Sequence, residues 1–343
     1  MSTIPHVAPD RILQTGFGFW ASKVLLSAVE MDLFSHLADG PRPVNELREA
    51  LGLHQRSLYD YLDALVALGF LRRKGLKEGA TYANAPDVDH YLVRGKPGYI
   101  GGMLQMANHR LYPFWGNLEE ALRTGEPQNE IKEGEKTLFE AVYANPDTLR
   151  EFAAAMAGFQ IPNFLFLAQS FDFSNLEKYC DVGGADGTCA CILADRHEHL
   201  DCVTFDLPEL APIAQENIRA RGMEGRVEVR SGNFFVDKLP HADVITMGNV
   251  LHDWSTEEKL TLISKAHDAL STGGALIVIE NIIDDQRREN VFGLLMSLNM
   301  LIETPQGFDY SYSDFRSWAD QAGFRRTDLI PLAGPTSAAV AYK

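Results

Sequence analysis

At 343 residues the chain exceeds one ordinary domain, and two are expected. Its composition, 45% hydrophobic and 23% charged, fits a soluble globular protein with a large core. A formal net charge of −16 repels phosphate backbones and anionic membranes, which argues against nucleic acid as the main partner.

The N-terminus has no basic start leading into an apolar run and a small-residue cleavage site. No uninterrupted apolar stretch reaches the length of a bilayer span, so a cytoplasmic protein without a membrane partner is expected. Residues 11–38 place Ile12, Leu13, Phe17, Trp20, Val24, Leu25, Leu33 and Phe34 at helical spacing over more than one face. A helix that apolar is buried in the core or shared with a second subunit.

A winged-helix pattern follows. Pro43–Leu47 opens a short helix closed at Gly52, a second helix runs from about Gln55 to Leu68, and Phe70–Lys74 and Thr81–Ala83 read as the wing strands. Residues 100–170 read as helices, with a break at Asn145-Pro146-Asp147 before a helix at 148–158. Beyond residue 178, strands at 179–182, 202–205, 227–230, 244–247, 275–280 and 338–342 alternate with helices, the texture of a parallel sheet covered on both faces. Cys180, Cys189, Cys191 and Cys202 fall within this region. They contain no C-x-x-C pair and read as small buried thiols rather than zinc ligands.

Four stretches carry chemistry. The first is Asp181-Val182-Gly183-Gly184-Ala185-Asp186-Gly187, between a strand and a helix, where small residues let a ligand approach the backbone. Its spacing is tighter than the G-x-G-x-x-G dinucleotide turn, and no Gly-Lys-Ser/Thr is present, so a P-loop is excluded. The second is Asp206, at the end of the next strand, whose carboxylate suits two ribose hydroxyls or the cap of the segment beginning at Pro208. The third is Ser231–Phe235, where Asn233 and Phe234 suit an adenine edge and face, or else a turn with aromatic filler. The fourth is Asn249–Glu258, past the fourth strand, where open parallel sheets place their sites. Ser255 and Glu258 form a capping box that leaves His252 in the preceding loop as a candidate general base.

These four stretches, in this order, resemble the O-methyltransferase family of plant caffeic acid, vertebrate acetylserotonin and bacterial polyketide O-methyltransferases. The signatures are D-V-G-G at 181–184, F-D-L-P at 205–208, H-D-W-S at 252–255 and A-G-F at 322–324. The resemblance implies a mainly α-helical, winged-helix-like dimerisation domain at 1–100. It implies a Rossmann-like class I methyltransferase domain, α/β in class, at 101–343, with a helical substrate-pocket segment at 101–175. S-Adenosylmethionine is the implied cofactor, held by Asp181, Gly183, Asp206, Leu207, Asn233, Phe234 and Gly248. Three positions on the cofactor side depart from the family pattern: Ala185 stands for a glycine, Asn233 for an aspartate, and Gly248 for the lysine of the plant enzymes.

The resemblance also gives His252 the role of base, flanked by Glu280 and by Asp309 in place of the more usual glutamate. The implied reaction moves a methyl group from the sulfonium to a hydroxyl of a small aromatic molecule. A phenol has a pKa near ~10, so His252 would take its proton while Glu280 and Asp309 hold the imidazole. Positioning the two reactants supplies up to roughly 7–11 kcal/mol in favourable cases. No metal is required. Met106, His109, Phe159, Met296, Asn299 and Met300, with Met103 and Trp115, are the expected pocket walls, since methionine and aromatic lining suits a flat apolar ligand.

Two rival readings remain at this level. A DNA-binding winged helix would be basic, yet basic and acidic residues balance over residues 1–100, and the would-be recognition helix sets Asp60 and Asp63 against Arg56. The same fold and cofactor also serve nitrogen or carbon acceptors, or bind without methyl transfer. A homodimer through the N-terminal domain is expected.

Overall fold

The computed structural model describes residues 8–96, 98–132 and 146–343. The chain divides between Tyr112 and Pro113 into two compact units.

In the first unit, helices α1 (Asp10–Gly16), α2 (Gly18–Glu30) and α3 (Leu33–His36) occupy the apolar stretch, broken at Phe17 and at Asp32, which is left-handed. The stretch changes character along its length. Leu26, Ala28, Val29, Leu33 and Phe34 are buried, whereas Ile12, Leu13, Phe17, Phe19 and Trp20 are exposed. Then come β1 (Arg42–Pro43), α4 (Val44–Ala50), α5 (Leu58–Ala67), β2 (Leu71–Lys74) and β3 (Thr81–Asn84), with the sheet ordered β1-β3-β2. Leu58, Leu62 and Leu65, one face of α5, are fully buried. The wing is tied to that helix through Asp63, which accepts from the Tyr82 hydroxyl at 2.8 Å and pairs with Arg73 at 2.6 Å. This is a winged-helix arrangement. The unit continues through α6 (Pro86–Tyr91) and α7 (Gly101–Met106) into a π-helical turn at Ala107–Leu111. It extends past residue 100 because α7 packs against α2.

The second unit begins with α8 (Leu118–Thr124) and α9 (Pro146–Ser170). Of the expected break, Asn145 lies outside the described residues, and the helix that follows runs well beyond residue 158. The sheet then forms: β4 (Lys178–Val182), α10 (Thr188–Arg196), β5 (Asp201–Asp206), α11 (Ala211–Ala220), β6 (Val227–Ser231), β7 (Ala242–Gly248), α12 (Thr256–Ala269), β8 (Leu270–Glu280), α13 (Val291–Glu303), α14 (Tyr312–Gln321), β9 (Arg326–Pro331) and β10 (Ser337–Tyr342). The order is β6-β5-β4-β7-β8-β10-β9, parallel through β8, with β10 antiparallel to both neighbours.

Both faces of this sheet are covered. On β8, Ala275, Ile277 and Ile279 pack into one layer and Leu276 and Val278 into the other. The four cysteines are free and buried in these two layers. Strand order reverses between β4 and β7, so their carboxyl ends open a crevice where a ligand can sit.

One expectation is corrected. Two helical stretches, Asp10–Glu30 and Phe152–Ser170, are long and apolar enough to cross a bilayer by length and composition. The second packs along α10, the placement of a core helix.

Candidate active site

The turn after β4 is shaped by close approaches. Gly183 has φ +74°, and a β-carbon there would lie 2.6 Å from Val250 Cγ2; one on Gly184 would lie 2.2 Å from Thr204 Oγ1. Ala185 is held at φ +45°, a conformation rare for a residue with a side chain. What holds it is Asp206, whose Oδ2 accepts the Ala185 N–H at 2.9 Å while Oδ1 accepts the Leu207 N–H at 2.7 Å. Each carboxylate oxygen keeps acceptor capacity for a further donor. Burial pushes Asp206 up to about 6.

Asp181 sits differently from the expectation that it faces the cofactor. It is buried under the turn, and its Oδ1 accepts from Thr246 Oγ1 at 2.6 Å, with Tyr179 Oη 2.6 Å from the same hydroxyl. Burial raises it to about 7. Asp181 therefore braces the turn from below. Asn233 is also occupied: its Oδ1 accepts the Phe235 N–H at 2.9 Å and shapes its own turn. Phe234 meets Trp254 edge-on at 5.9 Å between ring centroids. Gly248 closes β7, and a β-carbon there would meet only Phe164, at an ordinary 3.7 Å, so the space a longer side chain would fill stays open.

The candidate base, His252, sits where β7 gives way to α12. A 3₁₀ turn at Leu251–Asp253 precedes Ser255, whose capping box with Glu258 is fully formed. His252 is 4% exposed. Its Nδ1 lies 3.5 Å from Asp309 Oδ1 and its Nε2 3.5 Å from Asp253 Oδ1. Glu280, the last residue of β8, takes another part: its Oε1 accepts the backbone N–H of His252 at 3.0 Å. It anchors the turn rather than gripping the ring. Burial alone would lower the imidazole, but Asp253, Asp309 and Glu280 outweigh it and raise His252 to about 10. Burial likewise lifts Asp253 to about 7, and it raises Glu280.

The sequence reading passed over Asp253, although it stands within the H-D-W-S signature. It also passed over Gly307, where a β-carbon would lie 2.6 Å from the His252 carbonyl oxygen and 2.8 Å from that of Asp253. The signal for Gly307 was a glycine beside the proposed Asp309.

Of the expected pocket residues, Met296, Asn299 and Met300 lie on α13. Asn299 is buried and accepts from Trp115 Nε1 at 2.8 Å. Phe159 on α9 stacks with Phe292 at 6.3 Å. Met106 and His109 belong to the first unit, where exposed His109 pairs with Glu30 at 2.8 Å beside the π-helical turn.

Comparison with known proteins follows the same division of the chain. Residues 115–325 match the O-methyltransferase domain, and residues 13–94 match the O-methyltransferase dimerisation domain. The chain is 40% identical to the tetracenomycin polyketide synthesis 8-O-methyl transferase of Streptomyces glaucescens, over 100% of this chain and 99% of that protein. It is 35% identical to an N,N-dimethyltransferase of Streptomyces rimosus, over 95% of this chain and 94% of the other. The crystal structure of human N-acetylserotonin methyltransferase in complex with S-adenosylmethionine superposes with a TM-score of 0.90 at 27% identity, covering 100% of this chain and 99% of that one.

Proposed function

The chain belongs to the O-methyltransferase family and takes its methyl group from S-adenosylmethionine, and from that premise we propose that it methylates a phenolic hydroxyl of an aromatic polyketide with His252 as general base. The observation that carries this is the burial of His252 at the crevice with a carboxylate 3.5 Å from each ring nitrogen. The 40% identical relative supports a polyketide acceptor.

The residues present fit the cofactor. Gly183 and Gly184 let the turn after β4 close against Val250 and Thr204, and Asp206 offers acceptor sites suited to two ribose hydroxyls, with Leu207, Phe234 and Gly248 proposed to complete the cofactor site. Bound S-adenosylmethionine supplies an electrophilic methyl group carried on a sulfonium. His252 takes the acceptor proton at Nε2, and Asp309 steadies the resulting positive ring at Nδ1. The imidazole, raised to about 10, acts as base from its neutral form, and Asp253, raised to about 7 and 3.5 Å from the same Nε2, titrates coupled to it. Phe159, Met296, Asn299 and Met300 are proposed to wall the acceptor.

The test is His252→Gln assayed on a panel of polyhydroxylated naphthoates and anthraquinones. kcat is expected to fall by ~10²–10⁴, the usual contribution of a general base, with S-adenosylhomocysteine affinity kept. A variant with near-wild-type kcat at pH 7 would remove His252 from the mechanism. The S. rimosus relative favours an amine acceptor as the second reading. An amine panel methylated faster than the phenols would establish it.

The exposed apolar residues of α1 and α2 and the match over residues 13–94 support a homodimer formed through the first unit. The four free cysteines support a reducing, cytoplasmic setting.

A further inference from the structure

Lys259 lies in the first turns of a capped helix, where a lysine ordinarily reaches into water. Here it is 0% exposed. Lysine is almost never fully buried without partners, and these partners are specific. Its Nζ donates to the carbonyl of Trp254, the residue that ends the base turn. The ammonium stands 3.5 Å from the centroid of the Phe308 ring, with Tyr310 at 5.7 Å and Trp318 at 6.0 Å. Phe308 and Tyr310 flank Asp309. One buried cation thus touches both chain segments that face the imidazole, and its aromatic walls hold the charge without neutralising it.

We propose that Lys259 is a positioning residue for the methyl-transfer site, its ammonium clamping the base turn to the segment bearing Asp309 and balancing the carboxylates gathered around His252. The inference rests on the reading of His252 as base. The charged groups facing the ring are Asp253 on its own turn, Glu280 from β8 and Asp309 from the segment before α14. Glu303 at the end of α13 acts on Asp253, and Glu258 acts on Lys259. Without a second cation, these carboxylates would hold the proton on His252 more firmly. Burial lowers Lys259 itself to about 8, against the pull of Glu280, Asp253 and Asp309.

The experiment is the pH profile of kcat/KM in Lys259→Met, which fills the same volume without charge, and in Lys259→Gln, which keeps a donor for the Trp254 carbonyl. Lys259→Arg retains the charge, and His252→Gln serves as control. Folding is checked by circular dichroism and by S-adenosylhomocysteine binding. The ascending limb should move to higher pH by about one unit in the Met and Gln variants and stay in place in the Arg variant. Activity lost near pH 7 should return at higher pH. A limb unmoved in whichever neutral variant folds overturns the proposal, as does an equal shift in the Arg variant, because a purely structural lysine would lower activity without moving the limb. A limb that persists in His252→Gln would instead overturn the base itself, so the two failures are distinguishable.

Discussion

Glu280 binds His252 through the backbone, Oε1 to the peptide N–H at 3.0 Å, and leaves the imidazole to Asp309 and Asp253. The two flanking acids that sequence comparison treats as equivalent therefore do different work. One fixes where the ring sits, and the other faces its Nδ1.

That division separates two substitutions. Glu280→Gln keeps an oxygen for the N–H and should lower kcat less than about tenfold. Glu280→Leu leaves a buried donor without its partner, which costs about 1–3 kcal/mol of stability, and it frees the turn. Its kcat should fall as far as that of His252→Gln. Urea denaturation and steady-state kinetics on both variants read this out, and equal behaviour of Gln and Leu would return Glu280 to a purely electrostatic role.

Gly307 should tolerate no side chain. Its β-carbon would meet Thr304 Oγ1 at 2.4 Å as well as the carbonyls of His252 and Asp253, so Gly307→Ala must push the base turn aside. A displacement approaching an ångström in a positioned catalytic group costs about 100-fold, and a fall of that order in kcat is expected. S-Adenosylhomocysteine affinity, measured by calorimetry, should stay within about twofold, because the cofactor turn lies on β4. A matching loss of affinity would show that the whole crevice had deformed.

The ligand-free protein should lose stability as pH rises out of the acid range. His252 is raised from 6.5 to about 10 and Asp253 from 3.8 to about 7, so the folded state keeps protons that the unfolded chain releases. Their contribution is fully present below the unfolded values and fades as pH climbs through the folded ones. Lys259 works in the other direction, because its value is lowered from 10.5 to about 8, and it restores stability above pH 8. Asp181 and Asp206, raised from 3.8 to about 7 and about 6, add to the fall on its acid side, so the melting temperature should drop from about pH 4 to 7, decline more gently on to about 8 and level off. In His252→Gln the decline between pH 7 and 8 should disappear, and scanning fluorimetry across buffers shows whether it does.

Much of this was legible in the chain. The glycine turn, the Ser255–Glu258 capping box and the apolar strand cores are local patterns, and each forms where its residues stand. Strand β9 escaped notice because it is an edge strand whose Arg326, Thr327 and Asp328 carry no apolar run. Asp181 reads as a ligand-facing acid until the depth of the turn is known. Lys259 reads as a surface residue because helical position says nothing of the aromatic walls that α14 and the preceding segment bring to it. Asp253 needed the path of the turn, since adjacency in sequence does not place a carboxylate against Nε2.

The exposed row of Ile12, Leu13, Phe17, Phe19 and Trp20 has a thermodynamic consequence of its own. When a second copy covers that row, the free energy of covering it enters the stability of the fold through mass action. The melting point then becomes a function of protein concentration, rising in a concentrated preparation and falling on dilution. An assay at nanomolar enzyme would sample a more fragile molecule than one at micromolar, and thermal inactivation rates measured at the two dilutions would differ with no change in any residue of the active site.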